Sequence, residues 1–289
     1  GWLRYTVPRS GKSSMERAMN LSKRATNQLL MFAIGLLAIA ASAVTQAIEL
    51  PSDTDPAIKE CVDKMAPESS LTHYVSLVSY DDSGIIDESA GNLFWIRDED
   101  GQSKAIIRLS APASRAGLAV LMHEQAEKKP KLFLYVPDLK RTRTVTGKQV
   151  ATSMMGTDFS YEEFSYLQNV AEDNTTVRAD DQQLEGNNSY VFHTTPGDEE
   201  AVYTLIETFI DQSMCIPVLT RFHKNDVVAK ELVVDRDSIQ EVNDRQVPHK
   251  VTMHDRTKNT RTELVAKDVE IDAGLDDSMF HPKRLGSSF

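Results

Sequence analysis

From Leu71 onward, apolar and polar residues alternate along the chain with the period of two that a half-buried β-strand requires. The segments Leu71 to Tyr80, Asn92 to Asp98, Lys104 to Ser110, Leu118 to His123, Leu132 to Val136 and Arg141 to Val145 read this way. Turn sequences such as Asp81-Asp82-Ser83-Gly84 and Asp98-Glu99-Asp100-Gly101 separate them. After a middle insert the pattern resumes over Ser189 to Thr194, Val202 to Asp211, Ile216 to Lys224, Val227 to Asp235, His249 to Asp255 and Arg261 to Glu270. One helix precedes the strands. Asp55-Pro56 supplies a cap and a first-turn proline, and Ile58, Cys61, Val62 and Met65 follow at helical spacing, up to Pro67. Tyr161 to Val170 in the insert is predicted to be a second helix lying over the sheet.

Twelve short strands with hairpin spacing predict a mainly β fold, one large antiparallel sheet that curls. A curled sheet of about eleven or more strands cannot fill its interior with side chains alone, so an apolar inner face becomes a ligand cavity. The expected inward positions are Phe94 and Ile96 (or Leu93 and Trp95 if the parity is reversed), Ile107, Leu109, Leu118, Val120, Met122, Leu132 and Leu134. Met154, Met155, Phe159 and Tyr161 would form an adaptable rim, because methionine repacks around varied apolar shapes. The plainer reading of each is core packing. Burying an acyl chain yields about 0.8 kcal/mol per methylene, so such a lining would suffice to hold one.

The N-terminus changes the setting. Arg17, Lys23 and Arg24 precede a run of 13 apolar residues, Leu29 to Ala41, and small residues follow at Ser42-Ala43 and Ala47. This is the layout of a secretory signal, too short for a comfortable spanning helix. Residues 1–43 are therefore expected to be a signal peptide with an upstream extension before Met15 or Met19, and 44–289 a single mature domain. The whole chain has formal charge −11; without the first 43 residues, 26 basic and 42 acidic residues leave −16. That sign argues against a nucleic-acid partner. Cys61 and Cys215 are the only thiols. An oxidising compartment favours a disulfide between them, with two buried free thiols as the other possibility.

The most specific stretch is Leu132 to Tyr166. Tyr135, Pro137, Leu139, Lys140, Arg141, Arg143, Val145 and Gly147, followed by Met155, Gly156, Thr157, Asp158, Phe159, Ser160, Tyr161 and Glu162, resemble the pattern YxPxLKRxRx(I/V)xG…MGTDFSYE of the outer-membrane lipoprotein-sorting, LolA-like family. Phe209-Ile210-Asp211, Pro217, Phe222, Thr262-Glu263-Leu264 and Asp276 to Phe280 are similar to that family's C-terminal half, although Gln246 stands where an aromatic residue often precedes Pro248. The resemblance implies a half-open β-barrel with helices covering its mouth. It also implies periplasmic binding and transfer of lipids or acylated lipoproteins toward the outer membrane, often beside a resistance-nodulation-division type exporter, with at most peripheral membrane contact. Lys140, Arg141 and Arg143 are candidates for meeting a lipid phosphate or an acidic partner; balancing nearby acids is the plainer expectation.

Enzyme signatures are wanting. His123-Glu124-Gln125-Ala126-Glu127 has Glu127 where a zinc-protease helix needs its second histidine. Asp98 to Gly101 lacks the downstream glutamate of a calcium loop. No nucleophile elbow, dinucleotide fingerprint or Cys/His cluster occurs, so neither catalysis, cofactor nor metal is expected. Two functional readings remain: a carrier whose Met154 to Tyr161 loop controls access to the cavity, or a periplasmic sensor or accessory subunit that reports bound lipid or lipoprotein to a membrane partner.

Overall fold

Asp55 caps the first helix: its carboxylate accepts from the Ala57 amide at 2.8 Å, and helix α1 runs over Pro56–Asp63. The computed structural model describes residues 54–63, 67, 69–99, 101–125, 128–166, 174–272 and 274–287. The expected signal segment and the C-terminal ends of both expected helices lie outside the described residues.

The strands follow as β1 (Ser70–Asp81), β2 (Gly84–Arg97), β3 (Ser103–Ala111), β4 (Ala119–Gln125), β5 (Lys128–Val136) and β6 (Arg141–Val145), then helix α2 (Tyr161–Tyr166). The second half holds β7 (Thr175–Leu184), β8 (Asn187–Thr195), β9 (Leu205–Asp211), β10 (Pro217–Lys224), β11 (Val227–Val234), β12 (Ile239–Val242), β13 (Arg245–Pro248), β14 (Lys250–Asp255) and β15 (Thr260–Ile271). Thirteen of them form one antiparallel sheet in the order β6-β5-β4-β3-β2-β1-β15-β14-β11-β10-β9-β8-β7, while β12 and β13 make a separate ribbon. The first and last strands therefore meet at the centre, Leu71 opposite Ile271. Strands β6 and β7 are the two edges and do not pair with each other, so the barrel is half open. The sheet curls nonetheless: Lys129 of β5 reaches Asp198, between β8 and β9, at 2.7 Å.

Side-chain parity divides the sheet into two buried faces. One carries Leu71, Val75, Leu77, Leu93, Trp95, Ile107, Leu109, Val120, Met122, Leu132 and Leu134, continuous with Phe192, Phe222, Leu232 and Leu264 from the other half. This is the inner face. The other face of β2 to β5 presents Phe94, Ile96, Ile106, Ala119, Leu121, Phe133 and Tyr135, and the C-terminal tail covers it with Phe280 and Leu285. The tail is tied down as well as packed. The Phe280 carbonyl lies 2.6 Å from His123 Nε2, Arg108 donates to the Leu285 carbonyl at 2.6 Å, and Lys104 meets Asp277 at 2.5 Å.

Phe94 and Ile96 are thus corrected to the outer face, and Leu93 and Trp95 take the inward places. Both faces of β2 are apolar because both are covered, which is why alternation alone leaves the parity open. At the far end of the inner face, Cys61 of α1 is bonded to Cys215 in the β9–β10 turn, Cα atoms 5.1 Å apart.

Candidate functional site

The inner wall is largely apolar and closed to solvent. Leu93, Trp95, Ile107, Val120 and Met122 have no exposed surface, and Leu132 and Leu134 are buried as well. Leu118 is partly buried against them. Of the expected rim, Met154, Met155, Phe159 and Tyr161 pack into the same cluster. Burial raises the pKa of the Tyr161 hydroxyl, an effect partly offset by the charge of Arg143.

The Met154 to Tyr161 loop is pinned to the sheet at many points. Met154 N–H donates to the Phe159 carbonyl at 2.7 Å, closing a tight turn in which Met155 and Gly156 take left-handed φ of 55° and 81°. A side chain on Gly156 would be strained by that φ, although its Cβ would meet Arg115 and Asp87 at ordinary contact distance. Arg115 ties the turn to β2: it donates to the Met155 carbonyl at 3.1 Å and grips Asp87 at 2.8 and 2.9 Å. Asp158 is fastened to β15, where its carboxylate accepts from Thr260 at 2.5 Å and Thr262 at 2.8 Å while its amide donates to Thr262 at 2.9 Å. Ser79 of β1 completes the set at 2.9 Å from Thr262.

Ser160 and Glu163 then start α2 as a reciprocal capping box. The Glu163 amide donates to Ser160 Oγ at 3.2 Å, and the Ser160 amide donates back to the Glu163 carboxylate. That carboxylate is fully buried. It also accepts from the Tyr203 hydroxyl and from Lys230 Nζ at 3.1 and 3.2 Å, and Lys230 donates further to the Asp158 carbonyl at 2.6 Å. Beside it, Glu162 accepts from the Val202 amide at 2.8 Å; its pKa is pushed up to about 7, chiefly by burial. The motif residues Gly156 to Glu162 therefore form a staple joining β1, β2, β11 and β15 under one strap. Lys230, Tyr203 and Thr260 belong to it and carry no signal of their own in the sequence, because each is remote along the chain, whereas Thr262 falls within the Thr262-Glu263-Leu264 resemblance. The capping box is legible as an S-x-x-E spacing.

The basic cluster splits by position. Lys140 sits in the β5–β6 turn at φ 47°. Arg143 stands opposite Leu134 and Arg141 opposite Val136, which places both on the inner face of the edge strand. Both are exposed. Among the described residues no carboxylate forms an ion pair with Lys140, Arg141 or Arg143.

Two further polar groups lie on the inner face, Trp95 at a position that the reversed parity offers and His73 at one that the sequence does not single out. His73 lies between Leu71 and Val75 on β1 and is 1% exposed, and Trp95 is fully buried on β2. Both ring nitrogens of His73 and Nε1 of Trp95 lack a hydrogen-bond partner.

A family model with the description "Uncharacterized protein"-like matches residues 101–287. No curated protein sequence matches the chain. Solved structures do. A domain described as an outer-membrane lipoprotein-sorting protein from Vibrio parahaemolyticus superposes with TM-score 0.72 at 19% identity, covering 80% of this chain and 97% of its own. A DUF1329 family protein from Desulfovibrio piger gives TM-score 0.70 at 17% identity over 79% and 98%. A LolA superfamily protein from Nitrosomonas europaea gives 0.61 at 15% identity over 78% and 96%. The chain belongs to the family of the matched model, and its half-open barrel is the fold of the LolA-like, outer-membrane lipoprotein-sorting proteins.

Proposed function

We propose that the protein is a periplasmic carrier that holds the acyl chain of a lipid or lipoprotein against the inner face of its sheet and hands it on toward the outer membrane. The observation that carries this reading is the continuous apolar inner wall of a sheet whose edges do not join, with two exposed arginines on that same face at the β6 edge. The wall supplies affinity without chemical specificity, since each buried methylene adds about 0.8 kcal/mol. Arg141 and Arg143 are placed to meet a phosphate or other anionic head at the seam, a role that suits the fixed fork of the guanidinium. The signal-like N-terminus and the acidic mature chain support a secreted, diffusing protein. Binding rather than catalysis is proposed. Delivery to or from a resistance-nodulation-division type exporter is part of the same proposal.

The test is saturable binding of monopalmitoylglycerol or an acylated peptide to the purified protein, together with mass spectrometry of lipid extracted from material isolated from the periplasm. Leu134→Trp fills the wall beside the edge strand and is expected to weaken binding about tenfold with the circular dichroism unchanged. Folded protein that binds neither probe sinks the carrier reading and leaves partner recognition in its place.

A further inference from the structure

We infer that His73 and Trp95 form a polar notch deep in the apolar wall that receives the ester carbonyl of a bound acyl chain. The inference rests on the acyl-carrier reading and adds where along the ligand the protein makes its polar contact. In the β1–β2 register His73 faces Leu93 and Leu71 faces Trp95, so the two polar side chains are diagonal neighbours on one face, within about 7–8 Å backbone to backbone and in mutual reach. Leu71, Val75, Ala105 and Ile107 share that face, Ala105 lies directly opposite Trp95, and the Arg97 guanidinium stands 5.5 Å from the centre of the Trp95 ring.

The chemistry of the two groups narrows the ligand. An indole nitrogen can only donate, and a neutral imidazole offers one donor and one acceptor. Burial, reinforced by His249, lowers the His73 pKa to about 3 and keeps the ring neutral. Three polar atoms buried without partners are a standing penalty that an apolar pair of the same size would avoid. A hydrocarbon chain cannot relieve it. An acyl carbonyl can, by accepting from Trp95 Nε1–H and from the protonated nitrogen of His73, while its alkyl tail runs on along Ile107, Val120 and Met122. Such a contact would also set the depth to which the chain inserts, which the apolar wall alone does not fix.

The experiment compares monopalmitoylglycerol with its hexadecyl ether analogue, which keeps the chain and the glycerol head but lacks the carbonyl. The full protein is expected to bind the ester about five- to tenfold more tightly than the ether. His73→Leu and Trp95→Phe should each bring the two probes to within about twofold, by weakening the ester and leaving the ether as it was. In the unsubstituted protein the Trp95 indole N–H resonance should move downfield with the ester and stay in place with the ether, a readout that does not depend on either variant folding. Equal binding of ester and ether, or an ester preference that survives both substitutions, overturns the notch while the carrier reading stands. Failure of both probes to bind folded protein instead removes the carrier reading on which the notch rests.

Discussion

His73 is also the residue whose protonation matters most to the fold. Its pKa is about 3 in the folded protein against 6.5 for an unperturbed histidine, so below pH 6.5 the unfolded chain binds the proton and the native state does not. The contribution of this residue to stability is therefore fully present above pH 6.5 and lost as the pH falls toward 3, by on the order of 4 kcal/mol. Glu162 works in the opposite sense. Its folded pKa is raised to about 7, so its contribution is fully present below the unfolded value of 4.5 and lost as pH rises through 7. Denaturant titrations at pH 7 and pH 4 separate the two: His73→Leu should raise stability at pH 7 by about 1–2 kcal/mol and flatten the acid limb, because it removes a buried, unpaired polar ring. An unchanged acid limb in that variant would show that His73 is not the group responsible. Gly91 is constrained in another way, since a Cβ there would lie 1.9 Å from the Arg108 carbonyl oxygen at the bulge between β2 and β3. Gly91→Ala should consequently destabilise by about 2 kcal/mol or more, seen as a lowered midpoint in thermal unfolding.

At the scale of elements, the strap from Ser153 to Tyr166 behaves as structure first. Asp158→Ala would leave the Thr260 hydroxyl without its acceptor, cost Thr262 one of its bonds and loosen the loop from β15; about 2–3 kcal/mol of stability should go with it, along with new proteolytic cleavage near Gly156. Cleavage and stability matching the parent protein would restore the expectation of a loosely hung gate. Lys230→Met leaves the buried Glu163 carboxylate without its cation and is expected to be worse, about 3–5 kcal/mol in chemical denaturation. Much of this architecture is legible in the sequence. The alternating segments from Leu71 onward are strands, the Asp55-Pro56 cap opens a helix, and Cys61 is joined to Cys215. Strand β7 reads as insert because Thr175 to Leu184 is polar on both sides, as an edge strand exposed on both faces is free to be. The ribbon β12–β13 is four residues a side and too short to establish a period. The expected start of β9 at Val202 is early because Val202 and Tyr203 serve the strap through Glu162 and Glu163 rather than the sheet. What stays hidden, the pairing of Lys230 with Glu163 and the diagonal placement of His73 and Trp95 on β1 and β2, depends on register between strands and leaves no spacing to find.

For the molecule as a whole, the Cys61–Cys215 bond closes a loop of 154 residues and holds α1 to the end of the barrel. Its removal by Cys215→Ser should lower stability by about 5 kcal/mol on the chain-entropy account, and unfolding with and without reductant should show the same gap in the parent protein. The half-open topology has a further consequence. Two strands, β6 and β7, end the sheet with free backbone donors and acceptors, and such rows are templates on which a second copy could extend the sheet indefinitely. Their side chains oppose it. Arg141 and Arg143 would face one another if β6 met another β6, and β7 carries Arg178, Asp180 and Asp181 with an irregularity between Ala179 and Gln182 that spoils a flat match. The same open seam that would admit a lipid thus has to be guarded against fibril growth, and neutralising Arg141 and Arg143 together should hasten thioflavin-positive aggregation of a protein that is otherwise correctly folded.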